Sequence, residues 1–163
     1  MFGKYLKKSN KTQIKFKVNG EPPKKKGRSM WSKDSSQTQL VLDLRQKAYD
    51  SSKGVEIFDG PVKLTLTIYD PNPLERIDRH DYLGDLDALI GGVCDALQQS
   101  PPENNKLVIH DSFKEKNEIR HNVGLIISDD AQITTTVSRK RKIRENKKPY
   151  YTVLIEKDDD FVS

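Results

Sequence analysis

One alternating stretch constrains the fold of this 163-residue chain more than any other feature. In PVKLTLTIYD, residues 61–70, apolar side chains alternate with lysine and threonine. The apolar set is Val62, Leu64, Leu66 and Ile68. Because successive side chains of a strand point to opposite faces, this pattern predicts a half-buried β-strand.

The remaining chain predicts an alternation of strands and helices. TQIKFKVNG (12–20) and KKPYYTVLIEK (147–157) alternate as strands, and VGLIISDDAQITTTV (123–137) predicts two β segments joined by an acidic turn. Between them, 36–53 has helical spacing, with Asp34 or a neighbouring serine as cap and Gly54 as stop. The order β, α, β, α, β, β, β favours an α+β fold with a mixed β-sheet packed against two main helices.

The second helix lies within GDLDALIGGVCDAL, residues 84–97. Its apolar stripe recurs at helical spacing and consists of Leu86, Leu89, Ile90, Val93 and Leu97. Gly91 and Gly92 inside this helix each cost about 1 kcal/mol relative to alanine. We therefore expect close approach of another helix, strand or ligand there, and the pattern leaves open which.

Composition divides the chain into one domain, about 12–156, between a basic tail at 1–11 and an acidic tail at 157–163. A long excursion from the core is expected at about 98–123 because prolines, asparagines and mixed charges surround a short apolar run. Cys94 is the only cysteine, no apolar run has membrane length, and the first residues contain no secretory signal. These features predict a soluble cytoplasmic protein without a membrane partner.

The formal charge of +5 comes in clusters, KYLKKSNK, KKKGR and RKRKIR. Clustered cations are typical of proteins that bind a polyanion, although runs of lysine can also be merely solvated. Trp31, beside the second cluster, could stack on a base, but a place in the core is the more common role of tryptophan.

Acidic residues at two places could hold a metal ion. Asp85 and Asp87 can converge only at the entrance of the second helix, where a structural interpretation makes one of them the N-cap. The functional interpretation joins them to the acids of ISDDAQI, Asp129 and Asp130, as oxygen ligands of Mg²⁺. Asp95, two turns beyond Asp87, could orient such a site or be an ordinary exposed acid.

Several common chemistries lack their central motif. The sequence contains no phosphate loop, dinucleotide-binding glycine pattern or hydrolase elbow. The three histidines have no ligand spacing, and Cys94 has no evident base, so we interpret it as a packing residue.

The order of these features resembles the RusA family of Holliday-junction resolvases. In that family a D-x-D entering a helix that ends in DAL, followed by a D-D-x-Q turn, supplies the metal-binding acids of a homodimeric endonuclease. Asp85, Asp87 and Asp130 match those acids, and Asp129 lies beside the last. The resemblance spans most of residues 12 to 156, but its specific part is the two acidic motifs and the DAL of Asp95 to Leu97.

Three departures from the family pattern concern its function. The family usually has Asn after the second acid, Lys four residues beyond it and a basic residue before the first, where this chain has Ala88, Gly91 and Gly84. Arg76, Arg79 or a lysine of KKKGR could replace the absent lysine. The longer 98–123 excursion indicates a divergent member, encoded by a bacterium or a phage.

The resemblance implies an endodeoxyribonuclease that depends on Mg²⁺, with Mn²⁺ as the alternative metal, and that cuts four-way DNA junctions in recombination or repair. The basic residues expected to contact DNA are Lys24, Lys25, Lys26, Arg28, Arg76, Arg79, Arg139, Lys140, Arg141 and Lys142. Two alternatives stay open: a catalytically weak or silent branched-DNA-binding protein of the same fold, and a basic adaptor whose acids only cap helices.

Overall fold

The computed structural model describes residues 13–25, 29–53, 57–74, 84–100 and 108–162. Within these ranges lie four strands and two helices: β1 (Gln13–Asn19), α1 (Thr38–Ser52), β2 (Val62–Asp70), α2 (Leu86–Leu97), β3 (Ile133–Lys142) and β4 (Tyr150–Lys157). Three short 3₁₀ turns occur at Asp111–Phe113, Asn117–Ile119 and Asp130–Gln132. Neither of these helices has the length and apolar character needed to cross a membrane.

Some predicted features lie outside the described residues. They are the basic tail at 1–11, the helix stop at Gly54, the residues 101–107 of the excursion, and the side chains of Lys26, Arg28, Arg76 and Arg79.

The four strands form one mixed sheet in the order β1-β4-β2-β3. Strand β4 is antiparallel to β1 and β2, whereas β2 and β3 are parallel. The predicted α+β architecture with two main helices is therefore confirmed. The alternation of β2 is also confirmed, since its apolar residues Val62 to Ile68 are fully buried and the intervening ones are half-exposed.

Burial is one-sided across the sheet. On one face, the alternating apolar residues of β1, β2 and β4 form a single core. The two helices cover this face, with α1 in contact with β1 and α2 in contact with β3. On the other face the register aligns Lys17, Thr152, Thr67 and Arg139 across all four strands. This second face is where the polar half of each alternating strand lies.

Two local predictions were wrong. The first β segment of 123–137 does not form, because its backbone groups bond elsewhere: Leu125 N–H donates to Leu97 O and Ile126 O accepts from Phe58 N–H, leaving one isolated bridge at Ile127. Helix α1 has neither Asp34 nor a serine at its N-cap; Gln37 lies there and makes no side-chain cap. The Gln37 Oε1 atom instead accepts a hydrogen bond from Lys24 N–H at 2.8 Å.

The described part of the 98–123 excursion closes over α1. Ile109, Phe113 and Ile119 are buried, and Ser32 forms a β-bridge with Ile109. Trp31 is 2% exposed and packs edge-on against Phe113, with ring centroids 5.0 Å apart. The core role predicted for Trp31 is confirmed, and the excursion completes the core.

Arg45 of α1 is fully buried and ties three segments together. Its guanidinium donates to five backbone carbonyls: those of Ala96, Gln98, Ile119, Arg120 and Val123. Desolvation lowers the pKa of Arg45 to about 10, so the side chain stays protonated at neutral pH. Its charge is balanced by carbonyl dipoles, because no described carboxylate forms an ion pair with it.

Replacing Arg45 with methionine should strongly destabilise the fold. The change leaves five carbonyl groups without their donor, and loss of one partner from a buried charged network costs about 3 to 5 kcal/mol. Urea unfolding of Arg45→Met measures this loss. Lys47→Met is the control, because Lys47 is exposed on the same helix, and its free energy of unfolding should change by less than about 0.5 kcal/mol.

Candidate acidic site

The first pair of predicted acids lies at the start of α2, as the spacing predicted. Asp85 occupies the N-cap position with extended backbone, φ −77° and ψ 148°, and Asp87 lies in the first turn. Both side chains are exposed. The Asp85 carboxylate makes no capping hydrogen bond to the helix, so the N-cap interpretation explains its position in the chain but not its chemistry.

The two glycines of α2 are explained by a chain segment that crosses the helix. Lys25 N–H donates to Ala88 O at 3.0 Å, which docks residues 23–25 on α2. A Cβ atom on Gly92 would lie 1.9 Å from Pro23 O and 2.9 Å from Lys24 Cα. No side chain larger than hydrogen fits at Gly92 while this segment is in place.

Two lysine side chains of this segment lie across glycines. A Cβ atom on Gly91 would meet Lys25 Cδ at 3.2 Å, and one on Gly84 would meet Lys24 Cε at 3.0 Å. Gly84 also has φ +119°, a conformation that glycine adopts without strain. The stem of Lys25 thus runs over Gly91, and its Nζ atom reaches Asp95 Oδ2 at 3.8 Å.

The second acidic motif forms a capped 3₁₀ turn at the start of β3. Asp129 Oδ1 accepts from Ala131 N–H at 2.8 Å, and Gln132 Oε1 accepts from Asp129 N–H at 3.0 Å. The amide of Gln132 also donates to Phe58 O and Gly60 O. Asp129 and Gln132 are therefore structural residues that fix the turn, and this leaves Asp130 as the acid that the turn presents.

Asp130 lies among charges from three segments. Burial, a hydrogen bond with Asp129 and the negative charges of Asp129 and Asp95 all raise its pKa, and the positive charge of Lys25 opposes them. Burial likewise raises the pKa of Asp95, against the influence of Lys25. Two carboxylates and one ammonium thus act on Asp130, and we call these four residues the Asp130 cluster: Lys25, Asp95, Asp129 and Asp130.

Cys94 lies against the Asp130 cluster as a thiol. Burial, followed by the charges of Asp95 and Asp130, raises the pKa of Cys94 to about 12. The thiolate is the nucleophile and metal ligand, and this environment disfavours the thiolate form of Cys94. The predicted packing role fits this environment, because Cys94 is half-buried against the core.

The structure brings together only part of the predicted metal site. Asp95 and Asp129 both raise the pKa of Asp130, whereas Asp85 and Asp87 lie at the start of α2. Eight residues separate Asp87 from Asp95, which corresponds to about 12 Å along a helix. In the described ranges no three His, Cys, Asp or Glu side chains are arranged as a metal-binding group.

The donor chemistry of the Asp130 cluster nevertheless suits a hard cation. Mg²⁺ binds carboxylate oxygens, often only one or two from the protein, and completes its coordination with water and substrate phosphate. Burial, and after it the hydrogen bond and negative charge of Asp129 and the charge of Asp95, raise the pKa of Asp130, and a bound cation would oppose these effects. Asp130 and Asp95 are the residues that fit this role. Asp87 lies on the same face of α2 as Gly91 and Asp95, four residues before the first and eight before the second.

The basic residues predicted to contact DNA divide between two places. Lys24 and Lys25 lie at α2, whereas Arg139 to Lys142 lie at the far end of β3 from the Asp130 turn. Ten residues of strand correspond to about 33 Å. Lys140 Nζ donates to Pro73 O at 3.1 Å, and Arg139, Arg141 and Lys142 are exposed.

Two residues that shape this site were not singled out in the sequence. The side chain of Gln37 accepts a hydrogen bond from Lys24 N–H, and no local sequence pattern indicates that contact. Gln132 does have a local signal, because it follows Asp129 by three residues, the spacing of a capping box.

Comparison with known proteins gave no match: no model of a protein family fits the chain, and no curated protein is similar to it in sequence.

Substituting Gly92 with alanine should displace residues 23–25 from α2. The added methyl group overlaps Pro23 O, and overpacking of this kind costs about 1 to 3 kcal/mol. Gly60→Ala is the matched control, because a Cβ atom there meets nothing within 4 Å. Chemical denaturation compares the two variants, and equal stability would show that the segment does not pack against Gly92.

Asp130→Asn should raise the thermal stability of the protein at pH 7. The pKa of Asp130 in the folded state lies above its usual value of 3.8, so the folded protein binds this proton more tightly than the unfolded chain does. Ionised Asp130 therefore costs stability above its folded pKa. Below pH 3.8 the acid is protonated in both states, and the gain should disappear.

Thermal melts of wild type and Asp130→Asn at several pH values measure this effect. Asp34→Asn, which removes an exposed carboxylate outside the cluster, is the charge-matched control. A gain of equal size for both variants would mean that net charge, rather than crowding at Asp130, is responsible.

Proposed function

We propose that this chain is a Mg²⁺-dependent endodeoxyribonuclease of the RusA type that resolves four-way DNA junctions. The observation that carries the proposal is the position of Lys25, whose side chain lies over Gly91 and reaches Asp95 beside Asp130. Gly91 occupies the place of the lysine in the family pattern. The segment 23–25 thus supplies an ammonium group where the helix has none.

A second departure from the family pattern, at Gly84, can be explained in the same way. Gly84 occupies the place of the family's basic residue before the first acid, and the aliphatic stem of Lys24 lies against it. Two adjacent lysines from one segment therefore provide positive charge at both places, one before α2 and one within it, where this chain has glycine. This correspondence favours a retained site whose cations come from a different part of the chain.

Within this proposal, Asp130 and Asp95 would hold the metal ion, and Asp87, about 12 Å from Asp95 along α2, and Asp85 would not coordinate it directly. The ion, when bound, supplies the Lewis acidity that polarises the scissile phosphate and favours an attacking hydroxide. Lys25 is positioned to contact a phosphate oxygen and to stabilise its developing negative charge. Asp129 keeps the turn in the conformation that presents Asp130.

We propose that the protein acts as a homodimer. A four-way junction has nearly symmetric strands, and a two-fold dimer presents two identical sites that can cut opposing strands. Exposed cations of β3 would contact phosphates without reading bases, so binding should weaken steeply with salt. Such a reaction belongs in the cytoplasm of a bacterium or of a phage-infected cell.

A second candidate function is a catalytically silent protein that binds branched DNA. It is favoured by the ion pair between Lys25 and Asp95, in which the two side chains satisfy each other. In that case the acids and the lysine stabilise the contact between segment 23–25 and α2. The two candidates agree on the ligand and differ on hydrolysis.

Asp130→Asn and Lys25→Met should each abolish or strongly reduce Mg²⁺-dependent incision of a synthetic four-way junction. Removal of a single group that stabilises the transition state typically lowers the rate about 10²- to 10³-fold. End-labelled junction and matching linear duplex are incubated with Mg²⁺ or EDTA and resolved on a denaturing gel. Paired incisions in the junction alone would establish the activity.

Two controls make this experiment decisive. Asp34→Asn and Lys33→Met remove one exposed charge of each sign away from the cluster and should retain the wild-type rate. Junction binding is read on a native gel with EDTA. Binding without incision by the wild-type protein identifies the silent binder, and absence of both binding and incision refutes the proposed function.

A further inference from the structure

A wide basic pocket lies at the opposite end of the sheet from the Asp130 turn. It has a volume of about 860 Å³ and is formed by the end of β1, the start of β4 and the connection from β3 to β4. Its lining residues are Lys17, Asn19, Lys142, Ile143, Arg144, Lys147, Lys148 and Tyr150. Five of these eight are cationic, and none carries a carboxylate.

No cation of this pocket forms an ion pair with a described carboxylate. The two ion pairs found in these ranges involve Lys25 and Lys53, neither of which lines the pocket. Glu145 lies in the same connection but outside the lining. Because gathering five like charges without counter-ions is unfavourable, the pocket is suited to an anionic ligand that supplies the missing negative charge.

Aromatic residues give the pocket a firm wall. The rings of Tyr69 and Tyr150 are stacked, 4.6 Å apart and inclined by 14°. Lys17 Nζ lies 4.2 Å from the centroid of the Tyr150 ring, a cation–π contact that holds the ammonium at the pocket. At least one cation is thus positioned before any ligand binds.

The pocket continues onto the sheet face that does not carry the core. Along this face the register places Tyr69 beside Arg141, and Thr67 beside Arg139. Lys15 and Lys17 lie on the same face of β1, since the alternate residues of that strand are buried. Positive charge therefore extends from the pocket across both edge strands as a surface wide enough for an extended polyanion.

We propose that the pocket binds the sugar–phosphate backbone of a DNA strand. The inference rests on DNA being the ligand, as in the proposed function, but it does not require hydrolysis. A repeating chain of phosphates matches a row of cations, and tyrosine rings offer an apolar contact for sugars. The pocket is concave, whereas an anionic membrane would present a flat surface.

The position of the pocket indicates which part of a branched DNA substrate it would bind. The Asp130 turn and Lys142 lie at opposite ends of β3. The length of that strand, about 33 Å, approximates one turn of B-form DNA at 3.4 Å per base pair. A strand leaving the acidic site along the protein reaches the pocket about one helical turn from the cut.

The test measures affinity without cleavage. Fluorescence anisotropy in EDTA records binding of a labelled four-way junction and a labelled single strand across a range of salt concentrations. For Lys147→Ala/Lys148→Ala, the slope of log affinity against log salt should fall by about two relative to wild type, because each phosphate contact contributes about one. Lys47→Ala/Lys114→Ala, also exposed, removes the same charge from the helix side and should leave the slope unchanged.

The outcomes separate this inference from the proposed function. Equal slopes for wild type and the pocket variant overturn the inference even if the protein cuts junctions. A reduced slope supports it even if no cleavage is ever detected. Sedimentation with phosphatidylserine vesicles in place of DNA binding would overturn it in favour of a membrane ligand.

Discussion

The buried guanidinium of Arg45 is the interaction on which the rest of the structure depends. It donates hydrogen bonds to carbonyls at the end of α2 and in the 119–123 segment, and so holds α1 against both of them. From there Leu125 bonds to Leu97, Ile126 to Phe58, and Gln132 to Phe58 and Gly60. The position of the Asp130 turn is therefore set by a continuous series of contacts that begins at Arg45.

A second constraint brings positive charge to the acids. The segment 23–25 is held at one side by the Gln37 side chain and at the other by Ala88 O. The segment can approach α2 this closely because Gly92 has no side chain, and Lys25 fills the space over Gly91. Glycine in α2 thus lowers helix propensity but allows a cation from another segment to reach Asp95 and Asp130.

The parts of the fold that follow from sequence periodicity were predictable, and the parts that depend on tertiary partners were not. The alternation of apolar and polar residues predicted β1, β2 and β4, and the apolar stripe predicted the bounds of α2 to within a residue. By contrast, 123–127 has the composition of a strand, but its backbone groups find partners in Leu97, Phe58 and Arg45. The glycine pair predicted a close contact without identifying Pro23, and nothing local distinguishes Arg45 from a solvated helix arginine.

Separation of charge along β3 bears on how one small domain could hold both acids and DNA. A carboxylate cluster repels a polyanion, so affinity must come from elsewhere on the surface. Among the described residues, five cations line the pocket at the far end of the strand, and Lys25 is the cation positioned beside Asp95 and Asp130. Under the proposed function, this arrangement would let the basic pocket attract DNA while Asp130 and Asp95 stay available to a divalent ion. Moving those cations closer would lower the pKa of Asp130 and offset the negative charges of Asp129 and Asp95 around it.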